Sequence, residues 1–367
     1  MTAEAATTAS LSNLLTHSRM QAFRTCPRKH FYSYELGLRP KDTTRPLRFG
    51  KVFHWGLDQR AQGVPAEDIY RAVLQMYRDA AQPEYLSEHE WMVEAYTVAT
   101  LLNGYCWFYQ EEPLELVQTE FTFRHKIRNP GTTGISLVWQ AAGKVDKIAK
   151  LQDGRMALVE HKTTSQDINP NSDYWRRLRM DQQVSHYTIA AHEENYPVET
   201  TLYDAIRKPG IQPRQIPEVD EEGCKIVIEE TTGARVLNQN GTSRQSADKA
   251  KGWSLVTRVE SPEEYAARLH DDIQNRPEFY FQRMEIARLE SDLDEYRQEL
   301  WDTQKTIQQA RHFNRWPRNT QACLSPFKCP YFDLCCQGIK PSRAEAAPEG
   351  FEFVDDVHPE LSEGDEL

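Results

Sequence analysis

One short stretch constrains the fold of this chain more than any other: residues 143–162, GKVDKIAKLQDGRMALVEHK. Val145 to Ile148 and Ala157 to Val159 are β-prone, and Asp153-Gly154 between them is a hairpin signal. A three-residue loop, Gln152 to Gly154 with Gly154 left-handed, sets Leu151 against Arg155 and therefore Asp146 directly opposite Glu160. Directly paired residues point to one face of a sheet, and Lys162, two residues beyond Glu160, shares that face. Two carboxylates and an ammonium then converge on one spot. A two-residue loop would undo this, because a slip of one residue flips the strand.

Adjacent carboxylates repel each other and favour a cation between them. Oxygen donors with few other ligands suit Mg²⁺ or Mn²⁺, which keep waters and accept substrate phosphate oxygens. Such a metal polarises a phosphodiester and acidifies a bound water, and Lys162 is placed to orient that water or offset charge on phosphorus. The same residues also fit a surface hairpin with an ordinary Glu/Lys pattern. Three further segments bear on the choice. FGKVFHWGL (49–57) carries His54 between aromatics, where a histidine also reads as core or surface. MDQQVSHY (180–187) places Gln183 and Tyr187 four apart on one helix face, which alone reads as a polar face. VQTEFTF places Glu120 on the preceding strand, as an acidic neighbour or an exposed acid.

The chain has seven cysteines, an odd number without a signal peptide, which argues against a secreted disulfide framework. Cys323, Cys329 and Cys335 are evenly spaced in CLSPFKCPYFDLC, and Cys26 lies far upstream in FRTCPRKHF. Four thiolates are the ligand set of a [4Fe–4S] cluster or a zinc ion. Cys336 adjoins Cys335 as an alternative, and Cys106 in GYCWFY reads as a core thiol. A crosslink from residue 26 to residue 323 would close nearly the whole chain and weigh heavily on stability.

In order and spacing these motifs resemble the PD-(D/E)XK nuclease superfamily, in its RecB-like branch, from about residue 11 to 208 and again from about 277 to 338. The cysteine pattern resembles iron–sulfur nucleases of the AddB and CRISPR-adaptation kind, with a longer first gap among the last three. The resemblance implies a restriction-endonuclease-like α/β core, a central mixed β-sheet flanked by helices, with helical N- and C-terminal parts joined by the metal cluster. It implies Asp146, Glu160 and the backbone carbonyl of His161 as metal ligands, joined by His54 from an upstream helix. Lys162 would act on the attacking water, and Gln183 and Tyr187 would border the site and position DNA. Cys26, Cys323, Cys329 and Cys335 would hold a [4Fe–4S] cluster, with Zn²⁺ as the alternative. The implied activity is an Mg²⁺- or Mn²⁺-dependent deoxyribonuclease, an exonuclease of recombination, repair or phage DNA processing that leaves a 5′-phosphate. Its partners would be DNA, as single strand or duplex end, and a helicase or recombination protein. Two alternatives stay open: a non-catalytic DNA-binding subunit, or a CRISPR-adaptation-type nuclease within a complex.

A net charge of −11 runs against DNA binding, but its distribution matters more than its sum. Residues 341–367 carry nine acids against Arg343, while residues 24–51 carry eight bases against Glu35 and Asp42. The segment YWRRLRM (174–180) and Arg207-Lys208 add cations that could meet phosphates. Residues 10–340 read as a single nuclease domain with a loop-rich insertion at about 211–260 and a long helix at 284–312. That helix has a heptad-like stripe through Ile286, Leu289, Leu293, Tyr296, Leu300, Thr303 and Ile307. Residues 1–9 and the acidic tail 341–367 read as disordered. The 39% hydrophobic content and mean hydropathy of −0.72, with no run long enough to span a bilayer, point to a cytoplasmic protein without a membrane partner.

Overall fold

The computed structural model describes residues 13–41, 44–111 and 114–361, so the N-terminal stretch 1–9 lies outside the described residues. In chain order the strands are β1 (Leu14–Leu15), β2 (Leu38–Pro40), β3 (Glu115–Arg128), β4 (Ile135–Lys150), β5 (Met156–Thr164), β6 (Val198–Arg207), β7 (Gln215–Pro217), β8 (Val227–Glu229), β9 (Trp253–Leu255), β10 (Thr257–Val259), β11 (Phe281–Ile286) and β12 (Phe351–Phe353). The main helices are α1 (His17–Thr25), α2 (Arg45–Ala61), α3 (Ala66–Asp79), α4 (Glu88–Phe108), α5 (Asp173–Leu178), α6 (Gln182–Glu193), α7 (Pro262–Asn275), α8 (Glu290–Phe313) and α9 (Phe332–Gln337). Where the sequence suggested one domain, the chain divides into two compact units. One is Met1–Lys51, Gln110–Arg207 and Phe281–Leu367; the other is Val52–Tyr109 and Lys208–Tyr280.

The first unit is built on a six-stranded mixed sheet in the order β1-β4-β5-β6-β11, with β3 on β4. β4 is antiparallel to β3 and β5 and parallel to β1, β6 runs parallel to β5, and β11 closes antiparallel on β6. Helices flank this sheet, an arrangement consistent with a restriction-endonuclease-like fold. Ala190 and Ala191 of α6 let the helix settle closely on Val145, Ile148 and Leu158. Tyr296, Leu300 and Ile307 of α8 pack with Leu15, Trp139 and Ala141. That seam is the stripe anticipated from Leu293 onward. The helix does not reach back to residue 284, however. Phe281–Ile286 is a strand instead, because Ile286 packs with Tyr203 and Ala205 of β6.

The tail also departs from expectation. Within 341–361, β12 pairs antiparallel with β2, and the Phe351 ring stacks on Tyr331 with centroids 5.7 Å apart. Val357 and His358 are buried. Phe351 and Phe353 on the Tyr32–Tyr331 cluster and Val357 against Ala22 and Tyr34 are enough to anchor the segment among its many acids.

The second unit is mainly helical. Ser87 and Ser261 close capping boxes at the starts of α4 and α7. The 211–260 region is loop-rich but holds two small antiparallel ladders, β7 with β10 and β8 with β9. Among the described residues no helix is long and apolar enough to cross a membrane.

Candidate active site

The hairpin register follows from a few local bonds. Leu151 N–H donates to Arg155 O at 2.8 Å, Gly154 N–H to Leu151 O at 2.9 Å, and Gly154 sits at φ +90°. The ladder then runs Lys150↔Met156, Ala149↔Ala157, Ile148↔Leu158 and Lys147↔Val159. One more step of this register sets Asp146 opposite Glu160. On the other side of β4, Thr119↔Lys147 and Phe121↔Val145 bracket Glu120 against Asp146. Three carboxylates therefore lie in a row across β3, β4 and β5. Glu120 is drawn aside by Lys144, at 2.7 Å.

Glu160 is 4% exposed, and its Oε1 receives both Lys162 Nζ at 2.5 Å and Gln183 Nε2 at 2.9 Å. Burial would lower the Lys162 pKa, but Glu160, and then Asp146 and Asp181, outweigh it and hold the ammonium above its ordinary value. Asp181 caps α6 by accepting from Gln183 N–H at 2.9 Å, and Tyr203 donates its hydroxyl to the same carboxylate at 3.2 Å. This fixes the helix end from which Gln183 reaches the site. Tyr187, one turn on, is held well above the ordinary phenol range, first by burial and then by the charges of Glu160 and Asp146. Its ring comes so near β4 that a Cβ on Gly143 would lie 2.7 Å from the Phe123 ring and 3.0 Å from Tyr187 Cε1. Glycine is thus required where Tyr187 approaches the strand.

His161 turns its ring away, toward buried Asp204 (Nε2 to Oδ2, 3.7 Å), which also accepts from Arg283 Nε at 3.0 Å. Its imidazole belongs to the β5–β6–β11 side of the sheet. For His54, Gly50 of the same helix lies beside β5, where a Cβ would be 3.7 Å from Thr163 Oγ1. His54 itself, four residues on, is half-buried and falls in the second unit.

Two histidines near this region were not anticipated. His17 opens α1 behind the N-cap Thr16, and burial lowers its pKa to about 4 against Asp181, which raises it, and Lys162 and Arg24, which lower it further. His186 is buried between strand and helix, with Nε2 3.0 Å from Ala142 O and Nδ1 2.8 Å from Tyr296 Oη. Burial brings its pKa down to about 4, so it is neutral, donating from Nε2 and accepting the tyrosine hydroxyl at Nδ1. A helix-start threonine marks the position of His17. Nothing local marks its neighbours, which come from β5 and α6.

The cysteines lie as follows. Cys26 is the C-cap of α1, and its sulfur accepts from Asn319 N–H at 3.4 Å. Cys329 N–H donates to Cys323 O at 2.8 Å. Burial raises the Cys329 thiol, and the nearby Cys26 and Cys335 thiols raise it further. Cys336 is exposed, whereas Cys26, Cys323, Cys329 and Cys335 are half-buried. Among the described residues no group of three or more His, Cys, Asp or Glu side chains is arranged to hold a metal ion.

A family model for the PD-(D/E)XK nuclease superfamily matches residues 14–336. The chain belongs to the PD-(D/E)XK nuclease superfamily. No curated protein matches it. Membership of the PD-(D/E)XK superfamily implies nuclease activity, with DNA as substrate, and the mixed sheet described above suits that membership.

Nucleases of this superfamily generally use a divalent ion, Mg²⁺ or Mn²⁺. Glu160, Asp146 and Asp181 all act on the Lys162 ammonium, a concentration of negative charge that a divalent cation would offset. Mg²⁺ and Mn²⁺ are held by one or two carboxylates, waters and substrate phosphate, and the carboxylates of Asp146 and Glu160 are donors of that kind. At the cysteine region Cys26 and Cys335 act on the Cys329 thiol, thiol donors of the kind a cluster or zinc ion takes, but the side chains are not arranged as a metal-holding group among the described residues.

Proposed function

We propose that the protein is an Mg²⁺- or Mn²⁺-dependent deoxyribonuclease, an exonuclease of recombination, repair or phage DNA processing. The observation that carries this reading is the Asp146–Glu160–Lys162 grouping, with Gln183 locking Glu160. Asp146, Glu160 and the backbone carbonyl of His161 hold the cation, with His54 as a further ligand by family resemblance. The bound cation supplies Lewis-acid polarisation of the scissile phosphate. Lys162, kept charged by its acidic neighbours, orients the attacking water and offsets charge growing on the phosphoryl oxygens. Gln183 and Tyr187 stand beside Glu160 and set the position of the strand. Water adds to phosphorus as the bond to the 3′-oxygen breaks, leaving a 5′-phosphate and a 3′-hydroxyl. Cys26, Cys323, Cys329 and Cys335 hold a structural [4Fe–4S] cluster, with Zn²⁺ as the competing occupant, distinguishable by iron and sulfide content after anaerobic purification.

The test is cleavage of end-labelled linear and circular DNA with Mg²⁺ or Mn²⁺, wild type beside Glu160→Ala. The expected result is metal-dependent digestion of linear DNA only, reduced about a thousandfold in the variant and abolished by EDTA. Cutting of circles would make it an endonuclease. No cutting by folded protein would favour a DNA-binding subunit or a nuclease that works only within a complex.

A further inference from the structure

We infer that the exposed cations Arg124 and Lys126 of β3 are phosphate contacts that carry the DNA strand to the metal site. This rests on the nuclease reading above and specifies how its substrate is held.

The two strands pair over a long register: Thr122↔Lys144, Arg124↔Ala142 and Lys126↔Gln140. Exposure alternates along β3, with Thr122, Arg124 and Lys126 exposed while Phe123 and Ile127 are buried. Paired residues share a face, so Lys144, Arg124, Lys126 and Gln140 line one side of the ribbon. Asp146 is two residues from Lys144 along β4, hence on the same side. The row of cations therefore leads straight from the carboxylates. Its first member, Lys144, is held by Glu120 at 2.7 Å. Arg124 and Lys126 differ: among the described residues neither makes an ion pair or side-chain hydrogen bond. Successive positions on one face are about 7 Å apart, so the two cations extend roughly that far along one strand.

β3 pairs only with β4 among the described strands, so it is an edge strand. Charged residues on an edge also block pairing with other chains. That protective role is indifferent to the sign of the charge, whereas phosphate binding is not. Charge reversal separates the two.

The experiment is fluorescence anisotropy of full-length protein with a labelled single-stranded DNA oligonucleotide, in Ca²⁺ to withhold cleavage, across a salt series. Wild type is compared with Arg124→Glu/Lys126→Glu, with Arg124→Gln/Lys126→Gln as a milder pair, and with Lys305→Glu on the exposed side of α8 as a control. Reversal is expected to weaken binding at least about tenfold at low salt and to flatten the log Kd against log salt slope by about 1.4. The glutamine pair should show the same flattening with a smaller affinity loss. Lys305→Glu should leave the slope unchanged, and circular dichroism should show all variants folded. Equal affinity and slope in wild type and both pairs, with Mg²⁺-dependent cutting intact, would overturn the strand path and leave the nuclease standing. A wild type that neither binds nor cuts would overturn both.

Discussion

The hairpin of residues 143–162 and the cysteine segment of residues 323–335 hold their functional side chains by opposite means. The hairpin is central in the sheet, with strands on both sides and buried Val145, Ile148, Leu158 and Val159 beneath it. Backbone register alone puts Asp146 beside Glu160. The cysteine segment has one 3₁₀ turn, Thr320–Ala322, before α9, and it leaves Leu324 and Phe327 62% and 81% exposed. It meets the start of the chain through buried Tyr331 and Leu334, which pack with Tyr32 and Leu38, and through the neighbouring Asn319, which bonds Cys26 and Thr25. A site made by register needs no ligand to exist. In the cysteine segment the core is the small Tyr32–Leu38–Tyr331–Leu334 cluster, and a ligand held by the thiols beside it would add a tie between residues far apart in the chain.

The strongest way to break that contrast is to remove one thiol. Cys26→Ser should destabilise the protein by on the order of 4 kcal/mol, since a cluster joining residues this far apart acts like a long-loop crosslink. Guanidinium unfolding of anaerobically purified wild type and variant measures this. Coincident curves would mean that the segment stands without a ligand and that the contrast is wrong. A parallel substitution, Cys336→Ser at the exposed neighbour, should leave the curve in place.

On the hairpin side, the sheet is tied to α6 by neutral His186. Its pKa is lowered to about 4 in the fold, so between about pH 6.5 and 4 the unfolded chain takes up a proton that the native one refuses. Stability is therefore full above pH 6.5 and falls as the pH drops toward 4, by roughly 3 kcal/mol. Urea unfolding at neutral pH and near pH 4.5 should show this fall in wild type, and His186→Gln should flatten it. An equal pH dependence in both proteins would remove His186 as the titrating tie.

The same contrast explains what the amino-acid order reveals. The register of Asp146 against Glu160 is legible in the sequence only if the Asp153-Gly154 loop has three residues, and the Leu151–Arg155 pairing supplies that length. Gln183 is legible beside Glu160 only through the family resemblance, because the four-residue spacing to Tyr187 by itself defines no more than a polar helix face. Three features were not. Ile286 fits a helical stripe and a strand equally well, and its contact with Tyr203 decides between them. Phe351 and Phe353 are diluted by surrounding acids, and their strand partner is some three hundred residues away, in Leu38–Pro40. His17 comes near Lys162 and Asp181 only through the parallel pairing of β1 with β4 and the cap that follows it. Each depends on a partner distant in the chain.

A smaller effect probes how rigidly the register site is held. Gln183 donates to Glu160 at 2.9 Å, a bond to a charged acceptor near the reacting groups. Gln183→Ala should lower kcat by about tenfold while leaving the thermal midpoint nearly unchanged, because the helix cap at Asp181 uses the backbone of that residue. Gln183→Glu should do worse, since it would set a second carboxylate against Glu160. Single-turnover cleavage rates distinguish these. A loss in substrate affinity with kcat intact would reassign Gln183 to holding the strand.

The smallest effect is at the loop. Gly154 sits at φ +90° with no atom within 4 Å of where a Cβ would stand, so Gly154→Ala meets only backbone strain. The expected cost is about 1 kcal/mol, read as a drop in thermal midpoint. Activity should not change, because four ladder pairs between the loop and Asp146 hold the register once it is formed. If Gly154→Ala reduced kcat as well, strain at the loop would be reaching the carboxylates. The register would then be a balance between alternative pairings rather than a fixed property of the sheet.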